Sequence, residues 1–412
     1  MNLAYISLGA LVIAILVSCF TELNVGILSL ALAWIVGVYL GGMTVNQVIA
    51  GFPVPLFLTL AGVTLLFSQA QLNGTLDRIA HRAVRTCRGN TGLIPVMFFA
   101  LAASLASLGP GNVSTAALLA PMAMAVAGRA AIPAFLMIIM VGNGAQAGSL
   151  SPFAPTGVIV NGLMDKIGLP GQEWHTYWTN LAAHALVAFG AYFAFGGLKL
   201  FRSEQVVTIE QKPEDIVLER SHWITIVVIG LLLVGVLLFE VNVGMGALAG
   251  AVTLAILGAA DHKEAVKKMP WSVIVMMSGV TVLISLLEKT GGLDLFTAGL
   301  AALATPNTIT GVIAFVIGLI SVYSSTSGVV LPAFLPTVPG LIARLGGGDP
   351  VSIATSMNVG AHLVDLSPLS TTGALCLAGV SPAENVRSVF NKLLAWGLSM
   401  TVVGAVISYL FF

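Results

Sequence analysis

The chain has 412 residues, 57% of them hydrophobic and only 8% charged, with 17 Lys and Arg balancing 17 Asp and Glu. Soluble chains carry roughly 25% charge, so charges this sparse could not cover a water-facing surface of this size. A mean hydropathy of +1.00 makes lipid the main solvent, which excludes a nucleic-acid binder, a disordered chain and a disulfide scaffold. The three cysteines, Cys19, Cys87 and Cys376, have no metal-ligand spacing.

A span needs about 20 apolar residues. The first run, Leu3 to Phe20, has no basic residue ahead of it, unlike a signal peptide, and reads as a span. Further spans follow near 24–42 and 53–72. Asp77 to Arg88 then turns amphipathic, with Arg78, Arg82 and Arg85 on one face, as in an interfacial helix. The apolar stretch 92–128 is interrupted by Gly109-Pro110-Gly111-Asn112. Spans near 131–164 and 177–200 precede a charged segment, Arg202 to Ser221. Beyond it come spans near 222–239, 243–260, 270–288, 351–380 and 388–411. A second interrupted stretch, 307–344, is broken at Ser324-Ser325-Thr326-Ser327-Gly328. Each interrupted stretch is either two crossings or a hairpin that returns to its own side. With the N-terminus outside, 14 of the 17 basic residues fall in cytoplasmic segments, and only Lys166, Lys289 and Arg344 do not. Both readings of the interrupted stretches give that sidedness.

The two halves match at a nearly constant offset. Glu22-Leu23-Asn24-Val25-Gly26 pairs with Glu240-Val241-Asn242-Val243-Gly244, and Gly62-Val63-Thr64 and Ser68 pair with Gly279-Val280-Thr281 and Ser285. Ser114-Thr115 and Pro121 pair with Ser325-Thr326 and Pro332, and Leu150-Ser151-Pro152 and Thr156 with Leu366-Ser367-Pro368 and Thr372. The order is kept along the chain, so the similarity is a duplication. An odd number of crossings per copy makes the second copy enter from the opposite face. The expected fold is an all-α polytopic membrane protein of two inverted-topology repeats. Each repeat has five transmembrane helices and one re-entrant hairpin, with broken helices at the midplane. The repeats would be 1–200 (scaffold 1–90, transport part 91–200) and 222–412 (scaffold 222–306, transport part 307–412), joined by a linker over 201–221.

Four interruptions, Gly109–Thr115, Ser149–Thr156, Ser324–Gly328 and Asp365–Thr372, are repeat partners in pairs. Irregular backbone in lipid survives only where protein or water satisfies it. Helix N-termini after the breaks suit an anion and carbonyl ends before them suit a small cation. One Pro-Gly break would as readily be a plain kink; four in symmetric pairs favour a site. No Lys or Arg falls within them, so an anion would be held by amides, hydroxyls and co-bound cations. Asp365 is the one deep acid, with His362 one turn before it and Ser149 as its repeat partner. It is a sodium ligand, a proton carrier or a cap of the following half-helix. His184, mid-span, reads as a hydrogen-bonded packing residue.

These residues resemble the divalent anion/sodium symporter family of the ion transporter superfamily, and within it the malonate carrier-like branch. Aligned on the Pro that follows that family's Ser-Asn-Thr signature, Gly111-Asn112-Val113-Ser114-Thr115 takes the first hairpin tip; the second, Tyr323-Ser324-Ser325-Thr326, lacks the Asn. The family's Thr-Pro-Pro-type break is echoed by Ser151-Pro152 to Pro155-Thr156 and by Ser367-Pro368 to Thr372. The resemblance implies a homodimer working by an elevator motion; the expected location is the inner (cytoplasmic) membrane, with both termini outside and the central loop cytoplasmic as the basic residues orient them. Its expected partners are a small dicarboxylate, Na+ or H+ as the coupling ion and the lipid bilayer, with no cofactor and no nucleic acid. Asn112, Ser114 and Thr115 would hold one carboxylate, and Ser325 and Thr326 the other. Ser151, Pro152, Thr156, Ser367 and Thr372 would line the wall, with ion sites at Asn112, Ser149, Ser324 and Asp365. The competing transporter reading is a sodium/proton antiporter or oxyanion exporter of the same architecture. An enzyme would need a nucleophile–base pair or paired acids at depth, and the sequence offers none. A channel fits two closed hairpin tips poorly.

Overall fold

A computed structural model describes residues 3–21, 23–85, 90–201, 217–239, 241–380 and 384–412. Glu22, Cys87, Arg88, Glu240 and most of the 201–221 linker lie outside the described residues. Among the described residues the regular elements are all helices, with no strand.

In chain order, α1 (Leu3–Phe20) is followed by α2 (Val25–Trp34), which widens into a π segment over Ile35–Leu40. The short α3 (Val45–Ile49) leads to α4 (Val54–Leu72) and the basic α5 (Thr75–Arg85). The first interrupted stretch forms α6 (Leu93–Leu108) and α7 (Gly111–Arg129). The expected span at 131–164 divides into α8 (Ala134–Gly148) and α9 (Pro155–Lys166), and α10 (Glu173–Ala194) and α11 (Gly197–Phe201) end the first half. The second half runs through α12 (Arg220–Phe239), α13 (Val243–Ile256), α14 (His262–Lys268), α15 (Trp271–Thr290), α16 (Gly292–Ala301) and α17 (Ile309–Ser321). A second π segment, Thr326–Val330, opens the return arm through α18 (Leu331–Phe334) and α19 (Val338–Leu345). Then come α20 (Pro350–Leu363), α21 (Thr371–Ala378) and α22 (Val386–Phe411). All four expected interruptions are helix ends. Thus α6 stops at Leu108, α8 at Gly148, α17 at Ser321 and α20 at Leu363.

Among the described residues, five helical stretches are long and apolar enough to cross a membrane and eight shorter ones are apolar. The long helices are fewer than the expected spans because several spans stop at a break or bend midway. Large apolar side chains point outward on α2, α12, α13 and α22, with Ile27, Leu231, Ile256 and Leu410 all more than half exposed. In water such a surface would drive association; against acyl chains it costs nothing. The chain is a multi-pass membrane protein.

The halves repeat their contacts as well as their sequence. Asn24 caps α2 by accepting from the Gly26 N–H, and its partner Asn242 caps α13 by accepting from the Met245 N–H. Where α2 crosses α15, a Cβ on Gly279 would stand 2.1 Å from the Gly26 carbonyl oxygen. Where α4 crosses α13, a Cβ on Gly62 would stand 2.3 Å from the Gly244 carbonyl oxygen. Gly26 corresponds to Gly244 and Gly62 to Gly279, so these are one crossing made twice. Packing runs from these crossings to two groups of broken helices: α6, α7, α8 and α10 in the first half, α17, α20 and α22 in the second.

α5 occupies the expected amphipathic stretch and ties to the chain ahead of α12 through Arg78 Nε, which donates to the Val217 carbonyl at 2.9 Å. The Arg78–Glu219 pair at 3.8 Å is exposed and adds little.

Candidate functional site

Each break is shaped by local chemistry before it meets its neighbours. At the first hairpin tip Gly109 (φ 141°) and Gly111 (φ 74°) turn the chain, a geometry L side chains resist. At the second, Ser325 accepts from the Gly328 N–H, and the π segment follows. Pro332, Pro336 and Pro339 remove three backbone donors from the return arm, which passes through the 3₁₀ turn Leu335–Thr337 before α19. The two other breaks share a fold: Ser151 Oγ accepts from the Phe153 N–H and Ser367 Oγ from the Leu369 N–H, both at 3.3 Å. The cap of α21 is Ser370, which accepts from the Gly373 N–H and donates to the Asp365 carbonyl. Asp365 is therefore not the cap; its carboxylate is left for other partners.

Those partners come from two other elements. Thr326 Oγ1 donates to Asp365 Oδ1 at 2.6 Å, and Gln146 Nε2 donates to Asp365 Oδ2 at 3.2 Å. The same Gln146 nitrogen reaches Thr372 Oγ1 at 3.2 Å, while Gln146 Oε1 accepts from Asn112 Nδ2 at 3.0 Å. One continuous network thus joins both hairpin tips to both remaining breaks. Gln146 is its hub: fully buried at the end of α8, with its backbone carbonyl accepting from Asn180 Nδ2 at 2.8 Å.

Of the residues expected in the site, Asn112, Thr326, Asp365 and Thr372 meet in this network. Thr115, the partner of Thr326, is buried with its hydroxyl unpartnered, because the place of Asp365 in its half is taken by Ser149. Ser149 donates to the Gln146 carbonyl at 2.7 Å. Ser151 donates to the Ser107 carbonyl at 2.6 Å, so it ties the break to α6. Ser325 and Ser367 serve local turns. Ser324 and Thr156 are buried and Pro152 half-buried at their breaks. Ser114 lies on a crevice instead, as described below.

Sequence reasoning missed Gln146 and its neighbours. Asn143 and Gln146 lie three apart in an apolar run, a spacing that places two amides on one face of a helix and could have drawn attention to it. His184 packs as expected: it is fully buried, with Nδ1 2.9 Å from Asn143 Oδ1. Asn143 Nδ2 donates to the Ile139 carbonyl, so the imidazole carries its proton on Nδ1.

Two crevices lie against α4 and α15. One, of about 710 Å³, is lined by Thr281, Ser285 and Glu288 of α15, by Asp165 and Lys166 of α9, and by Pro332 of the second hairpin. The other, of about 60 Å³, is lined by Thr64, Ser68 and Gln71 of α4, by Gly109 and Ser114 of the first hairpin, and by Lys268. Thr64, Ser68 and Gln71 correspond, at the repeat offset of the framework, to Thr281, Ser285 and Glu288. The two crevices have equivalent walls and unequal sizes.

A lipid-facing bundle whose broken helices converge on a buried polar network, with a crevice against each hairpin, has the build of a transporter and not of an enzyme. A family model described as the N-terminus of the dicarboxylate carrier protein MatC matches residues 1–149. Among solved structures, the chain is similar to the YdaH transporter of Alcanivorax borkumensis, with a TM-score of 0.59 and 18% identity over 91% of this chain and 88% of that one. No curated protein matches. The expectation of a carrier and not an enzyme agrees with both likenesses.

Proposed function

We propose that the chain is a secondary active carrier that takes a small dicarboxylate, such as malonate or a C4 diacid, across the inner membrane together with sodium. The observation that carries this reading is the Asp365 network: a carboxylate at the meeting point of two hairpin tips, bonded to neutral donors alone. A dicarboxylate arriving about 6 Å from it would meet about 3 kcal/mol of repulsion at an effective dielectric near 20. A cation bound at Asp365 removes that term, so the anion and the cation favour each other. Neutral donors at the tips, including the unpartnered Thr115 hydroxyl, supply the anion's hydrogen bonds. The matched family's name, a dicarboxylate carrier, supports the substrate class. The repeated helix crossings and the two equivalent crevices support inverted repeats and access from either side in turn. In this reading the hairpins and later helices slide as an elevator past a dimeric scaffold, with both termini outside and the linker in the cytoplasm.

Labelled malonate should accumulate in proteoliposomes when an inward sodium gradient is imposed, and not when potassium replaces sodium. If neither a sodium nor a proton gradient drives uptake of any C3–C4 dicarboxylate, the proposal is wrong. The crevices make a second prediction, in a chain with Cys19, Cys87 and Cys376 replaced by Ala. Ser285→Cys should react with an impermeant maleimide from the Lys166 side about tenfold faster than Ser68→Cys does from the Lys268 side, as a population bias of about 1.4 kcal/mol gives. Equal rates would mean the larger crevice is not the open access route.

A further inference from the structure

The Gln146 amide stands between two oxygens that a sodium ion would use. Its Nε2 lies 3.2 Å from both Asp365 Oδ2 and Thr372 Oγ1, a carboxylate and a hydroxyl converging on one point. In a helix-break site of this kind sodium is held by oxygen atoms, whereas an amide N–H₂ only donates. Cation and amide nitrogen therefore exclude each other from that point. The backbone of Gln146 has little freedom to withdraw, since its carbonyl accepts from both Asn180 and Ser149. The terminal amide torsion is the soft coordinate, broad and roughly two-fold.

Turning that amide by half a rotation would bring Oε1 to the cation as a ligand and swing Nε2 toward Asn112. Asn112 now donates to Gln146 through Nδ2 at 3.0 Å, so two donors would face each other. Asn112 relieves this by turning too: its Oδ1 accepts from Gln146 and its N–H₂ is released at the first hairpin tip. That tip carries the buried, unpartnered hydroxyl of Thr115 one helical turn on. A cation at one end thereby creates a free anion-binding donor at the other.

We propose that Gln146 and Asn112 form a relay of two amide flips that couples cation binding at Asp365 to carboxylate binding at the first hairpin tip, with Gln146 acting as a positioning residue. The relay rests on the symport reading above. The network holds the elements it needs: one side chain touching both sites, a donor that competes with the cation, and an acceptor on the same group to replace it.

The test uses the full chain in nanodiscs, with sodium affinity read by thermal stabilisation in the presence and absence of saturating malonate. In the wild type, malonate should tighten sodium about a thousandfold, about a hundredfold of it from the removal of about 3 kcal/mol of repulsion and about tenfold from the relay, and sodium should tighten malonate by the same factor. In Gln146→Met both ligands should still bind, with the mutual factor reduced about tenfold, to the electrostatic part alone. Gln146→Glu removes the donor that opposes the cation while keeping an acceptor for Asn112, and should bind sodium about tenfold more tightly without malonate, with the relay's tenfold lost from the mutual factor. A folded Gln146→Met that keeps the wild-type factor, or a Gln146→Glu that binds sodium more weakly, overturns the relay and leaves symport standing. If Gln146→Met does not fold, Gln146→Glu decides alone. A wild type without any sodium–malonate linkage overturns the symport reading, and the relay with it.

Discussion

Asp365→Asn is expected to lower sodium-driven dicarboxylate uptake by about 100-fold or more while leaving the protein folded. The asparagine can keep both contacts, its carbonyl accepting from Gln146 Nε2 and its amide donating to Thr326 Oγ1, the two partners that Asp365 has now. Only the charge is removed. At about 4 Å and an effective dielectric near 20, a unit charge contributes about 4 kcal/mol to holding a cation, and each 1.4 kcal/mol is a factor of ten. Part of that is returned because the apo site no longer holds an uncompensated carboxylate, which leaves about two orders of magnitude. Thermal stability without sodium should stay the same or rise, since an uncompensated charge away from water is costly. Sodium-dependent stabilisation should vanish. A variant that transports at the wild-type rate would remove Asp365 from the ion site. An antiporter on this architecture would lose all exchange with its only deep acid, so residual uptake at high sodium favours symport.

The sequence could be read further for breaks than for contacts. Pro, Gly and runs of Ser or Thr inside apolar stretches are local signals, and helices end where those residues stand: at Leu108 before Gly109, at Gly148 before Ser149, at Ser321 before Ser324 and at Leu363 before Asp365. The duplication was visible as well, since each half spells the same residues at its helix crossings. The partners of Asp365 were not. Gln146 is 219 positions away, and its spacing from Asn143 marks a polar face without naming what that face meets. Its importance comes from a tertiary approach that neither periodicity nor propensity encodes. The π segment at Thr326–Val330 escaped for a related reason. Prolines that shape the arm were legible one by one, but where the chain absorbs their missing donors depends on what packs beside it. Ser151 shows the same limit: its hydroxyl was legible at the break, but not that it donates to the Ser107 carbonyl of α6.

The glycine crossings should be the most sensitive points in the framework, and they separate scaffold from site. Gly279→Leu cannot be accommodated, because its Cβ alone would lie 2.1 Å from the Gly26 carbonyl oxygen and 2.7 Å from the Gly26 Cα. No rotamer moves a Cβ, and the leucine's three further carbons must also fit between α2 and α15, so the helices must separate along their length and the variant should fail to reach the membrane folded. Gly279→Ala and Gly62→Ala test the same contact in its two copies. Each needs a smaller separation, with an expected loss of about 1–3 kcal/mol by the measure of overpacked cores. The losses should agree with each other, since the Gly62 Cβ would meet the Gly244 carbonyl oxygen at 2.3 Å. The double variant should lose close to their sum, because the crossings share no residue. Thermal unfolding in nanodiscs measures the stability and sodium titration of the same samples measures the site. If α2, α4, α13 and α15 form a framework that the transporting helices move against, the folded alanine variants lose stability and keep wild-type sodium and malonate affinities. A tenfold change in either affinity would mean that these crossings move with the site, and the division into framework and moving part would have to be redrawn.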